Sequence, residues 1–477
     1  MNSELRKSAP LLDAYLGYFE TQRTAFTIPG HKQKAYRLDQ GLGTVVDSDT
    51  PLYGGLDEIK LTEGTLKKAE ELAASLWGAD YARFSTGGST HANQAIILAL
   101  GKPGDKVAIT RTAHRSVLSA LVLTGLEPIW LTPEIDETTG VPTGIPVSEL
   151  ERVLDQKPIA LLLTEPGYLG AISDLPALIS KAHENSIPVV IDAAWGGHFG
   201  FNSKLPQHVL QLGADALITS VHKALPGYSA SALLLAQGKF LNLDRIEQSF
   251  ETTHTTSPAG APLASIDGCR ALLQSRGDQL TGDLLKYVND FKAQVQSHFE
   301  KPIFLNSSDF AAGRFDPVKI VLRANILGVS GVDIEKELQK VNIRVEMADQ
   351  DTIVFLATLA DNPDDFSVLS AALVKILKTL KATPRPTQTS LSWSIVPTVA
   401  VSMRDAYFAD TEFVSAQMAI GRVSADLIAP YPPGVAVVAP GEVLTEQIVS
   451  GLSTTQKAGV RIAYASDPTL ATYRVIK

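Results

Sequence analysis

Ala216-Leu-Ile-Thr-Ser-Val-His-Lys223 is the stretch that decides how this chain is read: an apolar run passes into hydroxyl residues, a histidine and a lysine. Val189-Val-Ile-Asp192, about 30 residues earlier, is a second short apolar run, closed by a carboxylate. Further runs lie outward at Val107–Thr110, Pro128–Leu131, Ile159–Thr164 and Ala232–Leu235. Helix-like segments separate them, near Thr90–Leu100, Arg115–Leu123, Val147–Leu154, Leu175–Glu184 and Leu205–Leu212. Thr65–Trp77 precedes them with Leu66, Ala69, Leu72, Ala73 and Leu76 spaced as on one helix face. Short apolar strands alternating with helices predict a parallel sheet covered on both faces. Ligands of such sheets bind at the carboxyl ends of the strands, where Thr110 to His114, Glu165, Asp192 and Ser220 to Lys223 fall.

The polar residues at those ends suggest one chemistry. A lysine at the mouth of a parallel sheet is a candidate Schiff-base former, because partial desolvation frees its amine as a nucleophile. Pyridoxal phosphate (PLP) requires such a lysine, an acid facing its pyridine nitrogen and a phosphate cradle. Lys223 is the candidate lysine and Asp192 the acid. Ser85-Thr-Gly-Gly-Ser-Thr90, directly before a helix, is the candidate cradle: glycines let backbone N–H groups approach an anion, and the helix N-terminus adds positive potential. Ser220 is a second phosphate donor, His114 a ring to stack on the pyridine, and Ala194 a small residue for its other face. Trp195 and His198 are adequately explained by core packing. Taken singly, each piece has an ordinary alternative as a solvated lysine, a turn aspartate or a helix cap; the ordered combination is what carries the argument.

The chain of 477 residues allows about three structural units. Its 42 Lys and Arg against 51 Asp and Glu leave a net charge of −9, which argues against nucleic acid as a partner. Cys269 is the sole cysteine, so no intrachain disulfide or CxxC metal site is expected. Nine scattered histidines have no zinc-site spacing, so we expect no metal. The opening residues lack the pattern of a secretory signal, and no run is long and apolar enough to span a membrane. A cytoplasmic protein is the expectation. After about residue 300 the texture changes to a smaller α+β unit, with strands expected at Pro317–Leu322, Ile343–Glu346 and Thr352–Leu359 and a helix at Pro363–Leu380. Ala382–Thr389 reads as a linker, and Ser402–Lys477 starts helical before a Pro/Gly-rich stretch, Ala429–Gly441. The expected division is an N-terminal segment 1–30, a large cofactor domain 31–300, a small domain 301–383 and a C-terminal region 390–477.

At these residues the chain resembles the PLP-dependent ornithine/lysine/arginine decarboxylases. The matching pieces include Thr27-Ile-Pro-Gly-His-Lys32, Gly55-Leu-Asp57, Gly88-Ser-Thr-His-Ala-Asn93, Arg111-Thr-Ala-His-Arg-Ser116, Asp192-Ala-Ala-Trp195, Ser220-Val-His-Lys223 and Thr255-Thr-Ser-Pro258. Gly421-Arg-Val-Ser-Ala425, Pro430-Tyr-Pro-Pro-Gly434 and Pro440-Gly-Glu442 narrow the likeness beyond PLP enzymes in general. The resemblance implies an α/β fold of PLP fold type I, with a mostly parallel seven-stranded sheet between helices and a smaller α+β C-terminal region. It implies decarboxylation of arginine, lysine or ornithine, an activity of amino acid metabolism and polyamine biosynthesis. Lys223 would bear the cofactor, Asp192 would pair with the pyridinium and His114 would stack on the ring. Ser89, Thr90, Ser220 and His222 would surround the phosphate, Lys223 or His222 would return a proton to Cα, and Thr256 would lie near the phosphate of a neighbouring subunit. A homodimer with a shared site, or a dimer-based oligomer, follows. The length leaves no room for the wing domain of the large acid-inducible members.

The sequence departs from the family pattern around the expected substrate. Ala224 follows the lysine where threonine is usual, Ala259-Gly260 replaces an aromatic, and Glu165 stands where a small neutral residue is common. The segment Leu56–Gly64 lacks a His-rich form. Glu165 and Asp57 are the candidate partners for the distal cation of the substrate. The departures keep open a second expectation, a PLP-dependent cyclase, eliminase or aminotransferase acting on a basic or modified amino acid. A non-catalytic protein on the same fold is a third, disfavoured by the intact Lys223 and Asp192.

Overall fold

The computed structural model describes residues 3–20, 26–50, 56, 64–380, 382–431 and 434–477. Seven strands build its main sheet: β1 (Tyr81–Ser85), β2 (Lys106–Thr110), β3 (Glu127–Leu131), β4 (Leu161–Thr164), β5 (Val189–Asp192), β6 (Ala216–Ser220) and β7 (Ala232–Ala236). Their order is β1-β7-β6-β5-β4-β2-β3. The ladder from β6 to β3 is parallel, and β7 runs antiparallel to both its neighbours.

The apolar runs are continuous because both faces of the sheet are covered. Successive residues of one strand enter different cores. Leu161, Leu163, Val189, Ile191 and Leu217 pack in one core, which the helices Pro10–Glu20, Thr65–Trp77, Leu175–Glu184 and Gly260–Gln296 cover. Leu162, Val190, Ala216 and Ile218 enter a second core, under α1 (Gly88–Leu100), α2 (Arg115–Thr124) and α3 (Leu243–Thr253). Thr65–Trp77 buries Leu66, Ala69, Ala73 and Trp77 on its inner face and stops at Gly78, whose φ of 65° suits a residue without Cβ.

The Gly260–Gln296 helix has 37 residues and runs from the first core into a third, where Leu284, Val288, Phe291 and Val295 meet a small antiparallel sheet. That sheet has the order Ile320–Arg323, Thr352–Phe355, Met347–Ala348, and the Pro363–Leu380 helix packs over the same core. The sequence places many of these elements within one or two residues, with several differences. No helix forms at Leu205–Leu212; Leu205 packs in the third core and Val209 and Leu210 in the first, from successive turns. No strand forms at Ile343–Glu346, and the pairing begins at Met347. Strand β1, the Pro10–Glu20 helix, α3 and the long helix are elements that the sequence pattern does not mark.

The segment Ala382–Thr389 has no helix or strand, yet it is tied down. Arg385 donates to Asp351 at 3.0 Å and to the Val329 carbonyl at 2.8 Å. Beyond it, the strands Thr411–Ser415 and Thr472–Ile476 pair antiparallel around a further core that includes Val437, Leu444, Ile448 and Tyr473. No helix among the described residues is long and apolar enough to cross a membrane.

Candidate active site

The carboxyl ends of β4, β5 and β6 and the N-terminus of α1 border one cavity of about 260 Å³. Asp192 closes β5, with three buried β-branched residues before it fixing the strand. Its Oδ2 accepts from Asn93 Nδ2 at 2.8 Å and its Oδ1 from the Ala194 amide at 3.1 Å. Asn93 also donates to Ser116 Oγ at 2.9 Å, and Ser116 Oγ lies 2.9 Å from His114 Nδ1. The Ser116 amide donates to the same Nδ1 at 3.2 Å, so a neutral His114 carries its proton on Nε2. Burial pushes the His114 imidazole down, against the pull of Asp192.

Lys223 sits three residues past the end of β6, with its Nζ 4.3 Å from the centroid of the Trp195 ring. Burial lowers its pKa from the ordinary lysine value, opposed by Asp192 and Glu346. His222 Nδ1 lies 3.0 Å from the Ser231 carbonyl, which only a donor can satisfy, so the neutral ring has Nε2 as its acceptor.

The cradle is local and steric. β1 ends at Ser85, and α1 begins at Gly88, which has a φ of 70°. A Cβ on Gly87 would stand 2.7 Å from His91 Cβ, so the turn into the helix has no room for a side chain there. Ser89 Oγ from α1 and Ser220 Oγ from β6 meet at 2.8 Å beside the helix N-terminus. The two hydroxyls and the helix N-terminus suit a phosphate, while the Gly87 and Gly88 amides are engaged by Ser85 Oγ and the Ala230 carbonyl. With a lysine amine and a doubly held carboxylate in the same cavity, the donor set fits a phosphorylated pyridine aldehyde.

Lys223, Asp192, His114, Ser89, Thr90, Ala194, Ser220 and His222 all line this cavity. Thr256 does not; it is exposed in the segment between α3 and the long helix. Glu165 is a correction. Its carboxylate is buried at the end of β4, receives the Ser173 hydroxyl and the Ser173 amide (3.1 Å), and borders a different cavity with Pro176 and Arg314. Held by two Ser173 donors and absent from the lining of the Lys223 cavity, it is not carried forward as a substrate ligand. Asp57 lies outside the described residues. Trp195 is a wall of the cavity as well as a packing residue, and Thr164 and Tyr168 line it too. Tyr168 follows β4 by four residues, so the strand-end rule reaches it once β4 is placed. Asn93 and Ser116 close two of the motifs that the sequence singles out, but they act through other side chains, so the motifs alone give them no role.

A family model for the Orn/Lys/Arg decarboxylase major domain matches residues 9–365, and one for the Orn/Lys/Arg decarboxylase C-terminal domain matches residues 388–462. The arginine decarboxylase of Bacillus subtilis (strain 168) is 33% identical over 480 residues, covering 98% of this chain and 98% of that one. Among solved structures, lysine decarboxylase A from Pseudomonas aeruginosa superposes with a TM-score of 0.84 at 19% identity, covering 100% of this chain and 81% of that one, a likeness of fold. A structure of SPT with PLP matches with a TM-score of 0.53 at 14% identity over 66% of this chain and 77% of that one.

Proposed function

The chain belongs to the Orn/Lys/Arg decarboxylase family, and we propose that it removes the α-carboxyl group of a basic amino acid, releasing CO2 and the corresponding amine. The observation that carries the proposal is the meeting of Lys223, Asp192 and His114 in one cavity with the Ser89 and Ser220 hydroxyls. Arginine is the substrate we favour among the three, supported by the arginine decarboxylase relative, similar over almost all of both chains.

The cofactor in this reading is PLP, which supplies a conjugated ring able to take up the electron pair left when CO2 departs. Lys223 would hold it covalently, Asp192 would keep a proton on its ring nitrogen, and His114 and Ala194 would flank the ring. Ser89, Thr90, Ser220 and His222 would hold its phosphate. Loss of CO2 leaves Cα short of one proton. We assign its delivery to Lys223 Nζ or to the His222 imidazole in its protonated form, both of which line this cavity. Trp195 and Tyr168 exclude water from the same space. Asp57 remains our candidate for gripping the distal cation.

A homodimer with a site shared between subunits belongs to this reading, with Thr256 reaching the partner's phosphate. Support comes from the exposure of Thr256 and from an apolar surface at Phe26 (92% exposed), Leu38 (86%) and Val45 (75%). The same reading places the enzyme in the cytoplasm, in amino acid metabolism leading to polyamines.

The test is an absorbance-monitored panel of arginine, lysine and ornithine on wild type and Lys223→Ala, with CO2 and amine measured. Amine from arginine with wild type alone is the expected result. Products that retain the carboxylate, seen by mass spectrometry, would replace decarboxylation with cyclisation, elimination or transamination.

A further inference from the structure

The turn that opens the phosphate cradle is braced from behind by a histidine that the proposed reaction does not use. His91, on the first turn of α1 and only 6% exposed, packs its stem against Gly87. Its Nδ1 lies 2.9 Å from Ser85 Oγ, the oxygen that receives the Gly87 amide at 3.2 Å. Its Nε2 lies 3.0 Å from Thr253 Oγ1 and 3.4 Å from the Phe250 carbonyl, both in the last turn of α3. The imidazole therefore spans from the turn to the end of α3.

The directions of these bonds follow from the partners. Thr253 gives its hydroxyl proton to the Ser249 carbonyl at 2.8 Å, and the Phe250 carbonyl can only accept. Nε2 is accordingly the donor, and a neutral ring has Nδ1 to accept from Ser85. Ser85 Oγ also lies 3.1 Å from the Gly88 carbonyl, so its single proton either stays within the turn or goes to the ring that braces it. A second imidazole repeats the arrangement. His254 Nδ1 faces the Thr255 carbonyl at 3.0 Å, which makes it the donor, and its Nε2 faces Thr86 Oγ1 at 3.4 Å. The two imidazoles are 4.8 Å apart, and Phe250 packs against them at 4.6 and 5.1 Å between centroids. Gly87 and Gly88 have no side chains to restrict the turn, so its shape depends on ties from outside.

We propose that His91 is a positioning residue for the cofactor phosphate: with His254 it clasps both hydroxyls of the Ser85-Thr86 turn to the end of α3, and so fixes where Gly88 and Ser89 meet the anion. This rests on the reading of Ser85–Thr90 as the phosphate cradle and names what sets its shape. Neither histidine lines the cavity, so the effect passes through the turn.

The test uses two probes that differ by the phosphate group, PLP and pyridoxal, on the full-length protein stripped of cofactor. Affinity for each is read by absorbance in wild type, His91→Phe and His91→Asn. His91→Phe keeps a ring against Phe250 and removes both hydrogen bonds, and it should cut the preference for PLP over pyridoxal by roughly tenfold. His91→Asn keeps an acceptor where Nδ1 stands and should recover part of that preference. A merely structural role would weaken both aldehydes alike or lower the melting temperature alone, and an unchanged preference in folded His91→Phe overturns the proposal. Thr253→Val cuts the same tie from α3 and replaces His91→Phe should that variant not fold; a preference unchanged there overturns the proposal equally. Wild type that captures neither aldehyde, or shows no preference between them, sinks the cradle reading and the proposal with it.

Discussion

Asn93 donates to both Asp192 and Ser116 from a fully enclosed position, which makes it the joint between the carboxylate and the His114 ring. Asn93→Ala should leave Asp192 with one donor and free His114 to turn. Side chains that orient a functional group in this way typically cost about 10- to 100-fold in activity when lost, so a fall of that size in kcat is the expected outcome, with KM little changed. An unaltered kcat would show that Asp192 is held well enough by the Ala194 amide. Glu165 is the residue that the sequence assigns to substrate and the geometry assigns to Ser173. Burial pushes it up to about 7, against an unfolded value of about 4.3. The folded chain therefore binds this proton more tightly than the unfolded chain. The group is neutral and harmless below about pH 4, and it costs progressively more stability as pH rises to about 7. Urea denaturation of wild type and Glu165→Gln at matched pH should show the wild type losing roughly 3 kcal/mol relative to the variant between about pH 4.5 and 7. A difference that stays flat over that range would mean the carboxyl ionises in the fold at no cost.

At the scale of elements, one join outside the sheet is ionic. Arg111, the residue after β2, donates to both oxygens of Glu442 at 2.6 and 2.9 Å and to the Val437 carbonyl at 3.0 Å, with both side chains only 1% exposed. The pair fastens the C-terminal section to the main sheet. A buried pair adds little over an apolar replacement, but removing one partner strands a charge at a cost of about 3–5 kcal/mol. Glu442→Ala should therefore lower the unfolding free energy by that amount, whereas Arg111→Met with Glu442→Leu should recover most of it. Equal losses in single and double variants, read by chemical denaturation, would refute a stranded charge as the cause. Both residues sit inside motifs that the sequence singles out, Arg111-Thr-Ala-His-Arg-Ser116 and Pro440-Gly-Glu442, yet nothing in either motif says that they meet, because a separation of 331 positions is invisible to local pattern. The same holds for the long helix. Gly260–Gln296 changes the core it faces midway, so no single apolar stripe marks it. The interior strands β4 to β7 are legible because burial on both faces writes an unbroken apolar run, and the ligand end of the sheet follows from their direction. Strand β1, Tyr-Ala-Arg-Phe-Ser, hides Arg83 in mid-strand, where Glu70, Glu247 and Glu251 neutralise it. A charge at that position breaks the pattern that the other strands keep.

For the whole molecule, the described chain assembles a cavity with lysine, acid, ring and cradle, but it leaves Thr256 on an exposed segment away from its own cavity. Thr256 belongs to the motif Thr255-Thr-Ser-Pro258, and it is exposed and outside the lining of the cavity. Phe26, Leu38 and Val45 likewise expose apolar surface that the described residues do not cover. A twofold dimer would account for both, since an isologous interface repeats each contact and would return Thr256 to a site as a donor from the other chain. This arrangement has a consequence that a self-contained site does not. Lys223→Ala removes the covalent anchor, and Thr256→Arg places a bulky charge where the partner's phosphate would be. Each variant alone should be inactive. When they are unfolded together and refolded at equal concentration, half of the dimers are mixed. Each mixed dimer has one site with both defects and one site with neither. Activity should therefore return to ~25% of wild type by random assortment of C2 dimers, and dilution below the dimer dissociation constant should abolish it. If each chain builds its own site, no mixing ratio restores activity, and Thr256→Arg retains whatever rate it has alone.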